Sequence, residues 1–156
     1  MSEITATKEQ QKELEYIAHY DALTGLPNRV LFSDRLHQAM AQTRRNKSML
    51  AVVYIDLDGF KEINDVYGHD HGDILLSTIS TRMREVTRDG DTIARIGGDE
   101  FVAVIIGLQK EEECIPMLSR LLRISSEAVH HNDLVMNVSA SIGVSFFAYD
   151  DNIDAD

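Results

Sequence analysis

Apolar residues follow two rhythms along this chain, and together they predict its elements. Residues 49–56 form an almost unbroken apolar run that ends in Asp56-Leu57-Asp58, which predicts a buried core strand with charge at its tip. Apolar runs at 92–96 and 101–106 flank Gly97-Gly98-Asp99-Glu100 and predict a hairpin. A last long strand is predicted over about 134–147. Between the strands the spacing is helical. Leu75, Ile79, Met83 and Val86 predict a helix running to about Arg88, and a short helix is predicted at 60–67, joined to it by a loop through Gly68 and Gly72. Phe32, Leu36, Ala39 and Met40 mark the buried face of a helix with Pro27 in its first turn and its end near Arg45. Leu118, Leu121, Leu122 and Val129 do the same for a helix over about 112–131, with Pro116 in its first turn. Residues 8–20 predict a polar helix with Leu14, Ile17 and Ala18 on one side.

Strand, helix, hairpin, helix, strand is a βαββαβ order. It predicts an α+β, ferredoxin-like domain with a mostly antiparallel sheet and helices packed on it. The chain divides into an N-terminal linker helix at 1–20 and one domain at 21–156, without repeats or low-complexity tracts.

The strand ends carry the candidate chemistry. Side chains alternate along a strand, so Asp56 and Asp58 start on one face unless Gly59 breaks the strand first. Taken alone, Gly97-Gly98-Asp99-Glu100 is equally an ordinary turn with solvated acids. Taken together, an acid at a strand end and an acid on a neighbouring hairpin supply hard oxygen ligands to Mg²⁺, which also draws on substrate phosphates and water. Asp56 and Asp99 are read as that pair. Gly97 and Gly98 leave room for a ligand to approach the backbone.

Several motifs now stand in one order. They are Asp21-Ala22-Leu23-Thr24-Gly25-Leu26-Pro27-Asn28-Arg29, then Ile55 to Asp65, then Gly68-His69 and Gly72-Asp73. Arg95-Ile96-Gly97-Gly98-Asp99-Glu100-Phe101 and Val138-Ser139-Ala140-Ser141-Ile142-Gly143-Val144 follow. This series resembles the GGDEF domain of diguanylate cyclases over about residues 20–148. The resemblance implies a palm-like nucleotidyl cyclase architecture. It implies that two GTP-loaded domains face each other as a homodimer and form cyclic di-GMP, each 3′-hydroxyl attacking the other α-phosphate and releasing pyrophosphate. Asp56, Asp99 and the Leu57 carbonyl are then the metal ligands, for two Mg²⁺ per half-site with Mn²⁺ as the alternative ion. Lys61 is the phosphate cation, and Asp99 and Glu100 compete for the role of base, with a second-metal ligand as the other role for Glu100. Asn64 and Asp73 read guanine, because a carboxylate can accept from N1–H and the 2-amino group together. The other reading of these two is a satisfied turn and a helix cap. Phe60, Gly97 and Gly98 complete the substrate contacts.

Arg88 and Asp91, the latter separated from Gly97 by five residues, match the spacing of the family's RxxD inhibitory site for product; the plainer reading is a helix-ending Arg and a turn Asp. The resemblance also implies a further helix and closing strand after the late strand, which this sequence does not reach. Fused sensor or effector domains are expected in the parent. The alternative function is a noncatalytic regulatory domain binding GTP or cyclic di-GMP, with a phosphodiesterase domain downstream.

Charge narrows the partners. With 26 acidic and 15 basic residues and a formal net charge of −11, the chain is unsuited to a broad grip on DNA or RNA. Nucleotide must bind locally, with metal offsetting carboxylates and phosphates. The single cysteine, Cys114, excludes an internal disulfide, and no apolar stretch of about 20 residues is present, so a cytoplasmic domain is expected, whether or not the parent is membrane-anchored. Lys61 and Tyr67 occupy the positions where an EF-hand needs Gly and Glu, and no phosphate-binding Gly-Lys-Ser/Thr loop occurs. His69 and His71 lack a third ligand for a transition metal.

Overall fold

The computed structural model describes residues 7–151, so the first six residues of the predicted linker and the last five of the predicted domain lie outside it. The helices are α1 (Lys8–His19), α2 (Arg29–Asn46), α3 (Phe60–Tyr67), α4 (His69–Val86) and α5 (Ile115–Ser126), the last preceded by a 3₁₀ turn at Glu111–Cys114. The strands are β1 (Met49–Asp58), β2 (Thr92–Gly97), β3 (Glu100–Leu108), β4 (Val129–His131), β5 (Leu134–Met136) and β6 (Ser139–Ala148). The main sheet has the order β2-β3-β1-β6 with every pairing antiparallel, and β4–β5 form a separate two-stranded ribbon. This is the expected α+β, βαββαβ architecture with the acid-tipped strand β1 at its centre.

The pleat of β1 sorts its residues. Ala51, Val53, Ile55 and Leu57 are buried with Phe101, Ala103 and Ile105 of β3. They pack against Leu75, Ile79 and Met83 of α4 and Leu121 of α5. Each of the larger side chains among them contributes about 1.5–3 kcal/mol by leaving water. On the opposite face Leu50 and Val104 meet Met40 of α2, with Phe32, Leu36 and Ala39 beside them. That cover reaches only the first half of β1. Further along the same face Tyr54 is 52% exposed, and Asp56 and Asp58 are open to solvent.

Several expectations change. Pro27 lies before α2, bridged to Tyr20, while Asn28 is the N-cap, its side chain accepting from the Leu31 N–H at 3.1 Å. The apolar side of α1 is not packed: Leu14 and Ile17 are 63% and 70% exposed, and α1 has no buried residue. The predicted loop at Gly68 to Gly72 shrinks to one residue. Gly68, at φ 92°, ends α3 and begins α4. The predicted 112–131 helix stops at Ser126, so Val129 is buried on a strand, and Leu122 is exposed. The predicted 134–147 strand is divided into β5 and β6. No helix among the described residues is long and apolar enough to cross a membrane.

Candidate functional site

The site begins where β1 outlasts its predicted end. The chain turns away only at Gly59, whose φ of 89° starts α3, so Asp56 and Asp58 both stay on the strand and on one face. Asp56 stands opposite Glu100 of β3 on one side and Ser141 of β6 on the other. The β2–β3 hairpin turns at Gly98-Asp99 rather than Gly97-Gly98, because Gly97 still pairs with Glu100. The Leu57 N–H donates to the Asp99 carbonyl at 3.1 Å and so stitches the hairpin tip to the end of β1. Open space surrounds the Cα atoms of Gly97 and Gly98, as a close backbone approach requires.

Charge accumulates at this junction. Burial pushes the Asp99 carboxyl above its ordinary value, and the negative charges of Asp56 and Glu100 push the same way. A hydrogen bond shared with the Asp56 carboxyl also favours the protonated form. A cation between Asp56 and Asp99 would remove this penalty. The described residues contain no group of three or more acidic, His or Cys side chains able to hold a metal ion. Two carboxylates beside a strand-end backbone make a partial shell, of the kind Mg²⁺ completes with phosphate oxygens and water. The donor set therefore fits Mg²⁺. The Leu57 side chain is buried, leaving only its main chain to the site.

The sequence reading missed the support around these acids. Ser141 Oγ donates to Asp58 Oδ2 at 2.8 Å, with Ser139 Oγ at 3.4 Å, and the pair holds Asp58 toward β6. Arg95 is a strut. Its Nε donates to the Gly98 carbonyl at 2.9 Å and its Nη1 to both Asp21 carboxylate oxygens at 3.1 Å. Asp21 in turn accepts from the Thr24 N–H and hydroxyl at 2.9 and 2.7 Å. No local pattern joins residues 74 apart, although both ends lie within matched motifs. A cavity of about 440 Å³ opens on the uncovered half-face, lined by Tyr54, Asp56, Ile96, Glu100, Ser141 and Gly143 among others.

Lys61, Asn64 and Asp73 do not line that cavity; they sit on α3 and α4. Lys61 is exposed in the first turn of α3, which has no side-chain cap among the described residues. Phe60 is half-buried against the core. Asp73 is the fifth residue of α4 and exposed, so it does not cap that helix; Gly68 does. The main-chain carbonyl of Asn64 accepts the Gly68 N–H at 2.9 Å, while its side-chain Oδ1 is buried and has no partner among the described residues.

Arg88 and Asp91 are bound to each other. Arg88 Nε and Nη2 reach the two Asp91 oxygens at 2.8 and 3.1 Å, and the Ile106 N–H donates to Asp91 at 3.1 Å. The Asp91 side chain is 1% exposed and the Arg88 side chain 55%. Of the two, Arg88 is the one open to solvent, and Asp91 anchors it. His69 and His71 fall in the first turn of α4, where the His71 Nδ1–H donates to the Tyr67 carbonyl at 2.9 Å and its ring meets His131 edge-on at 5.7 Å.

Comparison with known proteins agrees with this geometry. Residues 18–156 match the family model described as "Diguanylate cyclase, GGDEF domain". In Pseudomonas aeruginosa, the bifunctional diguanylate cyclase/cyclic di-GMP phosphodiesterase MucR is 40% identical over 94% of this chain and 21% of its own length. The cyclic di-GMP phosphodiesterase NbdA of that organism is 41% identical over 88% of this chain and 17% of its own. The chain thus spans about a fifth of these relatives. The solved GGDEF domain of TpbB, also from Pseudomonas aeruginosa, superposes with a TM-score of 0.78 at 35% identity, over 83% of this chain and 76% of that one. The acids at the hairpin tip and strand end, the motifs around them and the fold that joins them all lead to one family, and the chain belongs to the GGDEF domains of the diguanylate cyclases.

Proposed function

We propose that this domain is a diguanylate cyclase that condenses two GTP into cyclic di-GMP, with one GTP held by each of two facing domains. Each 3′-hydroxyl oxygen forms a bond to the α-phosphorus of the other GTP, the α–β phosphoanhydride bond breaks, and pyrophosphate leaves. The observation that carries this reading is the Leu57–Asp99 backbone bond, which sets Asp99 beside Asp56 on the uncovered face of the sheet.

Bound Mg²⁺, or Mn²⁺ in its place, neutralises charge on the phosphates; two ions per half-site are expected. Asp56, Asp99 and the Leu57 carbonyl hold the metal. Asp99 or Glu100 takes the hydroxyl proton, and Lys61 offsets phosphate charge from the first turn of α3. Gly97 and Gly98 admit the nucleotide to the backbone, Phe60 borders it, and Asn64 and Asp73 select guanine. Arg88, anchored by Asp91, receives cyclic di-GMP as an inhibitor. The domain works in the cytoplasm, within a longer protein carrying further domains.

A second reading has specific support, since NbdA, at 41% identity, is named a phosphodiesterase alone. In that reading the domain binds GTP or cyclic di-GMP and regulates a neighbouring phosphodiesterase without turnover. Concentrated protein incubated with GTP and Mg²⁺, with cyclic di-GMP quantified chromatographically, separates the two. Product from the wild type that Asp99→Asn abolishes supports the cyclase. Absence of product, with GTP still bound, refutes the cyclase and supports the regulatory domain.

A further inference from the structure

We propose that His71 and His131 form a site for a divalent transition-metal cation of the Zn²⁺ kind, held between the first turn of α4 and the turn end of the β4–β5 ribbon. The site is independent of the proposed reaction. Side chains alternate along β4, so His131 shares the face of Val129, which is buried in the core, while His130 takes the opposite, exposed face. The helix α4 packs against that strand. On α4, His71 is half-buried, and His69, two residues earlier, is exposed. The partner of His71 is therefore the distant His131 rather than its neighbour in sequence. The two rings meet edge-on with their centres 5.7 Å apart.

Spacing and hydrogen bonding both suit a shared ion. With Zn–N bonds of about 2.0–2.1 Å, two imidazoles on one tetrahedral ion have ring centres about 5 Å apart, which a small rotation of either side chain reaches. The Tyr67 carbonyl can only accept, so His71 carries its proton on Nδ1 and leaves the Nε2 lone pair open. Metal-ligating histidines commonly donate their other ring N–H to a backbone carbonyl in this way. Neither His71 Nε2 nor the ring nitrogens of His131 have a hydrogen-bond partner among the described residues. Imidazole favours Zn²⁺, Ni²⁺ and Cu²⁺, whereas Mg²⁺ prefers carboxylate and water, so this pair and the hairpin-tip acids select different ions. No third acidic, His or Cys side chain among the described residues joins the pair. Water completes the shell, and the site is weaker than a four-ligand zinc site. Both rings are half-buried, which leaves the ion a path from solvent. Bound there, it ties the ribbon to α4.

The test is calorimetric titration of Zn²⁺ into untagged protein with Mg²⁺ in excess throughout, for wild type, His71→Ala, His131→Ala, His69→Ala and His130→Ala. One Zn²⁺ per chain is expected in the wild type. His71→Ala and His131→Ala should each weaken it at least tenfold, and His69→Ala and His130→Ala should leave it unchanged. A wild type that takes up no Zn²⁺ with a Kd below about 100 µM overturns the inference. So does a His71→Ala or His131→Ala protein that keeps the wild-type affinity, or an equal loss in His69→Ala or His130→Ala. Long-range ¹H–¹⁵N spectra of the wild type give a second reading that needs no variant to fold. Zn²⁺ should shift His71 Nε2 and one ring nitrogen of His131 while His71 Nδ1 stays protonated. Shifts confined to other imidazoles, or no shift, overturn the site.

Discussion

Replacing Arg95 with alanine removes the strut between the Asp21 turn and the hairpin tip, and its cost can be worked from the bonds. Three hydrogen bonds go: two to the Asp21 carboxylate at 3.1 Å and one to the Gly98 carbonyl at 2.9 Å. The Arg95 and Asp21 side chains are 15% and 22% exposed, so screening is weaker than for a surface pair. Removing one partner of a fully buried pair costs about 3–5 kcal/mol, but Asp21 keeps both bonds from Thr24 and some solvent, which lowers the figure to about 2 kcal/mol. For a chain of this size that is a fall of about 4–8 °C in melting temperature. The pH dependence supplies a second check. Burial pushes the Asp21 carboxyl up, yet the bonds from Thr24 and from Arg95, with its charge, outweigh burial and hold it below its ordinary value. A carboxyl depressed by folding stabilises fully above its unfolded pKa of about 3.9, and the benefit is lost as pH falls through the folded value. The gap between wild type and Arg95→Ala should therefore be constant from about pH 5 to 7 and narrow in more acid solution. Thermal unfolding followed by circular dichroism across that range measures both. A shift below about 1 °C at neutral pH, or a gap undiminished in acid, would refute the reasoning.

Two further outcomes concern other parts of the fold. Arg82 donates to the carbonyls of Ile124, Glu127 and Ala128 at 2.7–3.2 Å and so binds α4 to the end of α5; Arg82→Ala should lose about 2–3 kcal/mol in urea unfolding, and a loss under about 0.5 kcal/mol would remove the arginine from that role. Arg88→Ala should weaken cyclic di-GMP binding at least tenfold by calorimetry without changing GTP affinity, and unchanged affinity for cyclic di-GMP would reject the product site there.

What the sequence made legible followed from how local each cause is. The β1 pleat was readable because Ala51, Val53, Ile55 and Leu57 alternate with residues that face the other side, and the sheet uses both faces. The meeting of Asp56 and Asp99 needed only a strand end and a turn. The end of α5 was not readable in that way. Leu118, Leu121 and Leu122 continue in helical spacing toward Val129, but Ser125 and Ser126 turn their hydroxyls back to the Leu121 and Leu122 carbonyls, and Arg82, more than 40 residues earlier, takes the carbonyls beyond. The β4–β5 ribbon followed a signal that was present, Asn132-Asp133 with Asn132 at φ 53°, which the helical pattern overrode. In α1 the spacing of Leu14 and Ile17 was real, yet the described residues offer it no partner face. Arg95 and Asp21 became a pair only once the hairpin and the turn before α2 were folded together.

The register of β1 makes the core and the proposed chemistry a single commitment. Slipping the strand by one position against β3 and β6 would turn Asp56 and Asp58 into the layer occupied by Leu75, Ile79 and Leu121, and would carry Ile55 and Leu57 out to water. A misaligned molecule therefore cannot survive as a stable protein with a slightly altered site. Unfolding removes it, and every molecule that stays folded carries its acids on the outer face.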